Sequence, residues 1–189
     1  MKKIFIVLCL ISFSVFANIS ELEKKANQGD ANAQFGLGAI YYFGMGVKQD
    51  YQKAKEYYEL AANQGNANAQ LSLGAIYYLG EGVKQDYEKA KEYYELAANQ
   101  GNANAQFGLG TIYYLGEGVK QDYEKAKEYY ELAANQGHVR APVELGFMYS
   151  NGRGVRQNYQ KAKKYYGIAC DNGSQFGCDR YKELNVKGL

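Results

Sequence analysis

The chain has 189 residues, with 22 Lys and Arg against 20 Asp and Glu, one His, three Cys, one Pro and no Trp. Lys2 and Lys3 account for the whole formal charge of +2, so the rest of the chain is neutral and has no basic run. That balance argues against nucleic acid and against an anionic membrane surface as partners.

The N-terminus opens with Met1-Lys2-Lys3, continues with an apolar stretch from Ile4 to Phe16, and reaches Val15-Phe16-Ala17. A short basic start, an apolar segment too short to span a bilayer and small residues at a cleavage position predict a secretory signal peptide over 1–17. Cys9 is not read as a lipidated cysteine, because the bulky Leu8 precedes it and the apolar run before it is short. Cleavage after Ala17 leaves no stretch long enough for a stable membrane anchor. It also leaves Cys170 and Cys178, and an even count in an exported protein favours a disulfide.

Residues 18–29 predict a leading helix. Beyond it, Gly29, Gly65, Gly101, Gly137 and Gly173 recur every 36 residues and bound four units, 30–65, 66–101, 102–137 and 138–173. The second and third differ only at Leu71/Phe107, Ser72/Gly108 and Ala75/Thr111, whereas the fourth opens divergently with His138-Val139-Arg140. Such a period means that each unit is one supersecondary element that buries its apolar face by stacking on its neighbours.

Each unit predicts two helices. In the first unit, Ala33, Leu37 and Tyr41 recur at helical spacing. Gly38, a costly residue in a helix interior, implies that another element approaches closely there. Gly44-Met45-Gly46-Val47 predicts the helix end, and Asp50 the cap of a second helix bearing Tyr51, Ala54, Tyr58 and Ala61. No segment alternates with period two, so no strand is expected. The fold class is all-α. Residues 174–189 predict a closing helix whose apolar face is reduced to Tyr181 and Leu184. A bridge between Cys170 and Cys178 would tie the last second helix to it, stabilising by about 2–3 kcal/mol on the chain-entropy model.

The pattern Ala33-x-x-x-Leu37-Gly38-x-x-Tyr41-x-x-Gly44-x-Gly46-Val47-x-x-Asp50-Tyr51-x-Lys53-Ala54-x-x-Tyr57-Tyr58-x-x-Ala61-Ala62-x-x-Gly65 resembles the Sel1-like repeat, a relative of the tetratricopeptide repeat with a longer inter-helix loop. The resemblance covers 30–173 and implies a right-handed α/α solenoid that binds a protein or peptide on its concave face, lined by the first helix of each unit. The Cys170/Cys178 spacing is similar to a cysteine-rich branch of secreted bacterial relatives, although here only the last repeat carries the pair. That branch implies weak penicillin binding or β-lactamase activity as an alternative. A structural spacer in the cell envelope is a further one, since the second and third repeats are almost the same.

Of Ser20, Ser72, Ser150 and Ser174, none has Lys three positions on, as a serine β-lactamase nucleophile requires. His138 alone offers no zinc-ligand set and no triad, and reads as the N-cap equivalent of Asp30, Asn66 and Asn102. Glu56 and Glu59 beside Lys53 and Lys55 read as solvated ion pairs. No catalytic residue, metal or cofactor is expected.

Removing the packing positions of the first helix leaves Asn32, Phe35, Ala39 and Tyr42 on another face. The next units repeat it as Asn68, Leu71, Ala75, Tyr78 and as Asn104, Phe107, Thr111, Tyr114; the fourth gives Arg140, Val143, Phe147, Ser150. Amides that bond a peptide backbone would stand beside aromatics that bury apolar groups, and Arg140 could accept a carboxylate. The competing expectation is that Phe35, Phe107 and part of each Tyr pair are simply packing between repeats.

Overall fold

The computed structural model describes residues 19–189, so the signal segment expected at 1–17 lies outside the described residues. The described chain is helical throughout, without a strand. It divides into two compact units, one reaching to Asp86 and one from Tyr87 to Leu189. The first holds α1 (19–27), α2 (Ala31–Phe43), α3 (Tyr51–Asn63) and α4 (Ala67–Leu79). The second holds α5 (Tyr87–Asn99), α6 (Ala103–Leu115), α7 (Tyr123–Asn135), α8 (Ala141–Asn151), α9 (Tyr159–Asp171) and α10 (Gln175–Val186). Among the described residues, no helix is long and apolar enough to cross a membrane.

Capping residues set the helix ends. Asp30, Asn66 and Asn102 each accept the backbone N–H three residues on, at 2.8, 2.9 and 3.1 Å, which begins α2, α4 and α6. Asp50, Asp122 and Asn158 cap α3, α7 and α9 in the same way. Each first helix stops on a left-handed glycine, as at Gly44 with φ 68°, whose N–H returns to the carbonyl of Ile40.

Within each unit the core is an Ala/Leu seam with buried tyrosines set into it. Leu37, Ala54 and Ala61 are fully buried in the first unit; Leu109, Ile112, Ala126, Leu145 and Met148 are in the second. Tyr58 lies against Gly38 so closely that a Cβ there would come within 2.5 Å of the ring, and Tyr130 lies on Gly110 at the same 2.5 Å. The close approach expected at Gly38 is therefore made by a tyrosine ring. Any side chain at these positions would displace the largest group in the seam.

Successive repeats are tied by a buried glutamine. Gln34 donates to the carbonyl of Ala26, Gln70 to that of Ala62 and Gln106 to that of Ala98. A second glutamine serves the acceptor side, since Gln64 donates to Gln34 at 2.7 Å and Gln136 to Gln106 at 2.6 Å. Gln34, Gln70 and Gln106 are buried but satisfied. In the fourth repeat the tie is absent, because Pro142 occupies the glutamine position. At the next one it becomes covalent: Cys178 stands at the glutamine position, Cys170 at the alanine position, and the two form a disulfide with Cα atoms 4.5 Å apart. On α10, Gly177 and Leu184 are buried, and the ring of Tyr181, expected on the apolar face, rests against Gly167 of α9 with its outer side exposed. Gly177 itself packs closely on Ala169 and the α9 backbone.

Candidate docking face

The first-helix face is neither core nor free surface. In the first unit Asn32 is exposed while Phe35 and Tyr42 are half-buried, resting on the buried ring of Tyr58 at 5.7 and 6.5 Å. Tyr51 closes on Tyr42 edge-on at 5.4 Å. The Tyr42 hydroxyl donates to the carboxylate of Glu81 in the next repeat's loop. Burial and this carboxylate together push its phenol well above the ordinary tyrosine range. Asn32 accepts from Asn66 at 3.1 Å, which leaves its own amide N–H groups directed outward to donate. On α4, Asn68 is exposed and Leu71 and Tyr78 are half-buried.

The second unit builds the same face differently. Asn104 is exposed and makes no side-chain hydrogen bond among the described residues. Phe107 rests on buried Tyr130 at 5.5 Å, with the His138 ring stacked on it at 4.5 Å and the Arg140 guanidinium over it at 5.0 Å. Tyr114 sits 5.3 Å from Tyr123 and 6.4 Å from Tyr130. Its hydroxyl accepts from Arg153 at 2.8 Å, and the same guanidinium lies over the Tyr114 and Phe147 rings. Burial raises the Tyr114 phenol, with Arg153 opposing. Tyr130 donates to Thr111 at 3.4 Å, and Thr111 to the carbonyl of Phe107 at 3.1 Å, so the floor of the face is hydrogen-bonded as well as packed.

His138 takes the capping place expected from its register. Its Nδ1 accepts the N–H of Ala141 at 3.1 Å, which puts the proton of the neutral ring on Nε2. α8 begins two residues later than its equivalents, and Arg140 stands geometrically at its start without a side-chain cap. Burial, then Arg140, hold the imidazole below its ordinary pKa. Glu144, in the first turn of α8, is held above the ordinary carboxylate range by burial, with Arg140 opposing.

The face therefore brings together each pair of aromatics expected within a repeat, Phe35 with Tyr42 and Phe107 with Tyr114, over one buried tyrosine. It does not leave every hydroxyl free, because Glu81 and Arg153 engage two of them from loops 39 residues onward. Sequence reasoning passed over Glu144, Arg153 and a row of exposed leucines on the second helices, Leu60, Leu96 and Leu132. Subtracting one repeat from the next would have found the first two. The leucines break an otherwise polar surface between Glu59 and Ala61 and their equivalents.

Four stretches, 31–66, 67–102, 103–138 and 141–174, match the Sel1 repeat. The chain belongs to the Sel1 repeat family. A protective antigen of uropathogenic Escherichia coli strains displaying an SLR fold is 36% identical with a TM-score of 0.87, over 90% of this chain and 37% of that one. This chain thus spans little more than a third of that antigen. A Sel1 repeat protein from Oxalobacter formigenes is 31% identical with a TM-score of 0.78, over 90% of this chain and 78% of that one. Cysteine-rich protein B of Helicobacter pylori is 30% identical with a TM-score of 0.55, over 70% of this chain and 96% of that one. No curated protein matches the chain significantly. The Sel1 repeats also account for the all-α fold, with the Gly44-type loop between the two helices of each repeat.

Proposed function

We propose that the protein is an exported interaction module, without catalytic residues of its own, that binds an extended polypeptide segment on its first-helix face. Sel1 repeat proteins mediate protein–protein interaction, which supports the general class. Export is supported by the Cys170–Cys178 disulfide and by the likeness to a cysteine-rich Helicobacter protein. The observation that carries the docking reading is the surface of α6 and α8. An exposed amide with no partner, Asn104, stands beside aromatic rings that are ordered from beneath by Tyr130 yet half open above. Rigid aromatics and unspent donors suit an extended backbone with apolar side chains.

Selection from a randomised peptide library tests this. Enriched peptides should lose binding to Asn104→Ala and Tyr114→Ala but keep it to Leu132→Ala. Loss in Leu132→Ala alone would move the site to the exposed leucines of the second helices. Asn104→Ala should leave the unfolding midpoint unchanged, because that side chain carries nothing structural.

A further inference from the structure

The neutrality of the chain hides a segregation of charge. Residues 145–170 hold Arg153, Arg156, Lys161, Lys163 and Lys164 and not one Asp or Glu. The same stretch of the third repeat, 109–134, has three lysines against five carboxylates. Glu117, Asp122 and Glu128 of that repeat have become Arg153, Asn158 and Lys164. The net charge of one piece of scaffold therefore passes from −2 to +5 between neighbouring repeats. The change is gathered in a cleft between the α8–α9 loop and the start of α9. The corresponding cleft of the third repeat, about 700 Å³, is lined by Lys120 and Lys125 but also by Asp122 and Glu124. That of the fourth, about 570 Å³, is lined by Arg156, Lys161 and Lys127, with Tyr149 and Asn158 and no carboxylate.

We infer that this cleft and the exposed side of α9 form a second docking surface, which receives an acidic polypeptide segment. It goes beyond the first-helix face and does not depend on it. The Lys161 ammonium lies 5.1 Å over the ring of Tyr149, which fixes its charge at the cleft wall. Asn158 uses its side-chain oxygen on the N–H of Lys161 at 2.9 Å, which leaves its amide N–H groups to donate. Arg156 is exposed and makes no hydrogen bond or ion pair among the described residues. Its planar fork suits a carboxylate. Lys127 is already matched by Glu131 of its own helix at 3.4 Å, and Lys163 donates to the carbonyl of Leu189 at 3.1 Å. Arg153 is turned to the first-helix face, over Tyr114 and Phe147. The cations left for a partner are Arg156, Lys161 and, one turn along α9, Lys164. They border repeats in which acids outnumber bases, nine to six over residues 87–144. A long polyanion laid across that border meets repulsion as well as attraction, whereas a short acidic segment meets only the positive end.

Selection by the full chain from a peptide library rich in Asp and Glu tests this surface, at about 0.15 M salt so that distant charges are screened. Enriched peptides should bind Arg156→Gln/Lys161→Gln about tenfold more weakly. Lys120→Gln/Lys125→Gln takes the same two charges from the third-repeat cleft and should leave affinity within about twofold. Asn158→Asp restores the residue of Asp50 and Asp122, so α9 stays capped and the unfolding midpoint is kept. It should nonetheless weaken binding about threefold by repulsion. Equal losses in the two double variants would overturn the inference, because net charge alone would then explain the binding. No enrichment of acidic peptides would overturn it as well. Acidic peptides that need Asn104 and Tyr114 rather than Arg156 would move the site to the first-helix face, so the two readings fail separately. A single-stranded oligonucleotide or phosphatidylglycerol vesicles bound with the same dependence on Arg156 and Lys161 would overturn the choice of a polypeptide.

Discussion

Tyr42 and Tyr114 occupy the same place in two different units, and nearly everything beneath them is alike. Each follows a glycine, Gly38 or Gly110, where a Cβ would come within 2.5 Å of a buried tyrosine ring. Each has its carbonyl held by a loop glutamine, Gln49 or Gln121, at the same 2.8 Å. What differs is the residue that meets the hydroxyl: Glu81 takes a hydrogen bond from Tyr42, and Arg153 gives one to Tyr114. The repeat thus fixes where the phenol sits, while one loop residue decides whether its remaining capacity is to accept or to donate. Diversity in this protein is added at loop tips and first turns, above a scaffold that does not change.

If the scaffold is shared, removing the floor should cost the two units alike. Tyr58→Ala and Tyr130→Ala should each destabilise by about 3–5 kcal/mol, measured by urea unfolding, since each empties a fully enclosed aromatic site. A loss at one position only would show that the two floors are not equivalent. The second comparison is between the glutamine ties and the disulfide that replaces them. Reduction should cost about 2–3 kcal/mol, and a Cys170→Ala/Cys178→Gln pair, restoring the residues of the earlier repeats, should recover part of the loss. No recovery would mean that α10 needs the covalent bond itself and that the glutamine tie cannot replace it.

Much of this scaffold is legible in the sequence because its causes are local and repeated. Asp50 and Gly44 mark helix ends through caps that reach three or four residues, and Leu37 with Tyr58 marks the seam through helical spacing. The docking face is legible only in outline. Phe107 and Tyr114 could be placed together by periodicity, but Arg153 reaches Tyr114 from 39 residues away, a distance at which no local pattern reports. Glu144 was hidden for the opposite reason: averaging over repeats discards the positions where the fourth repeat departs. On α10 the apolar pattern names Tyr181 and Leu184 but passes over Gly177, which with no side chain to count packs closely on α9.

The cap of α8 offers a finer contrast with those of α4 and α6. His138 accepts a backbone N–H only while neutral, and burial lowers its pKa from 6.5 in the folded chain. Between that lowered value and 6.5 the unfolded chain binds the proton and the folded chain does not, so stability falls as pH drops through this window. Going from about pH 7.5 to pH 5 should cost on the order of 1 kcal/mol, the worth of a cap. His138→Asn, the residue of Asn66 and Asn102, should remove that slope. Glu144, with its raised pKa, contributes the opposite sign, so the test is the difference between the two proteins' pH profiles. Equal profiles would show that the imidazole caps nothing in solution.

The smallest effect is the most discriminating for Tyr42 and Tyr114. Glu81 raises the Tyr42 phenol, whereas Arg153 lowers that of Tyr114 against the dominant effect of burial. Glu81→Gln should therefore move the Tyr42 titration down, and Arg153→Gln should move the Tyr114 titration up. Both are readable from the tyrosine Cζ chemical shift as pH rises. Neither substitution should change stability by more than about 1 kcal/mol, because Arg153 is exposed and a lone hydrogen bond at a wet surface contributes little. Opposite shifts would establish that one scaffold presents a phenol under two electrostatic signs. Shifts of the same sign would mean that burial alone sets both, and that the loop residues serve only to hold the rings in place.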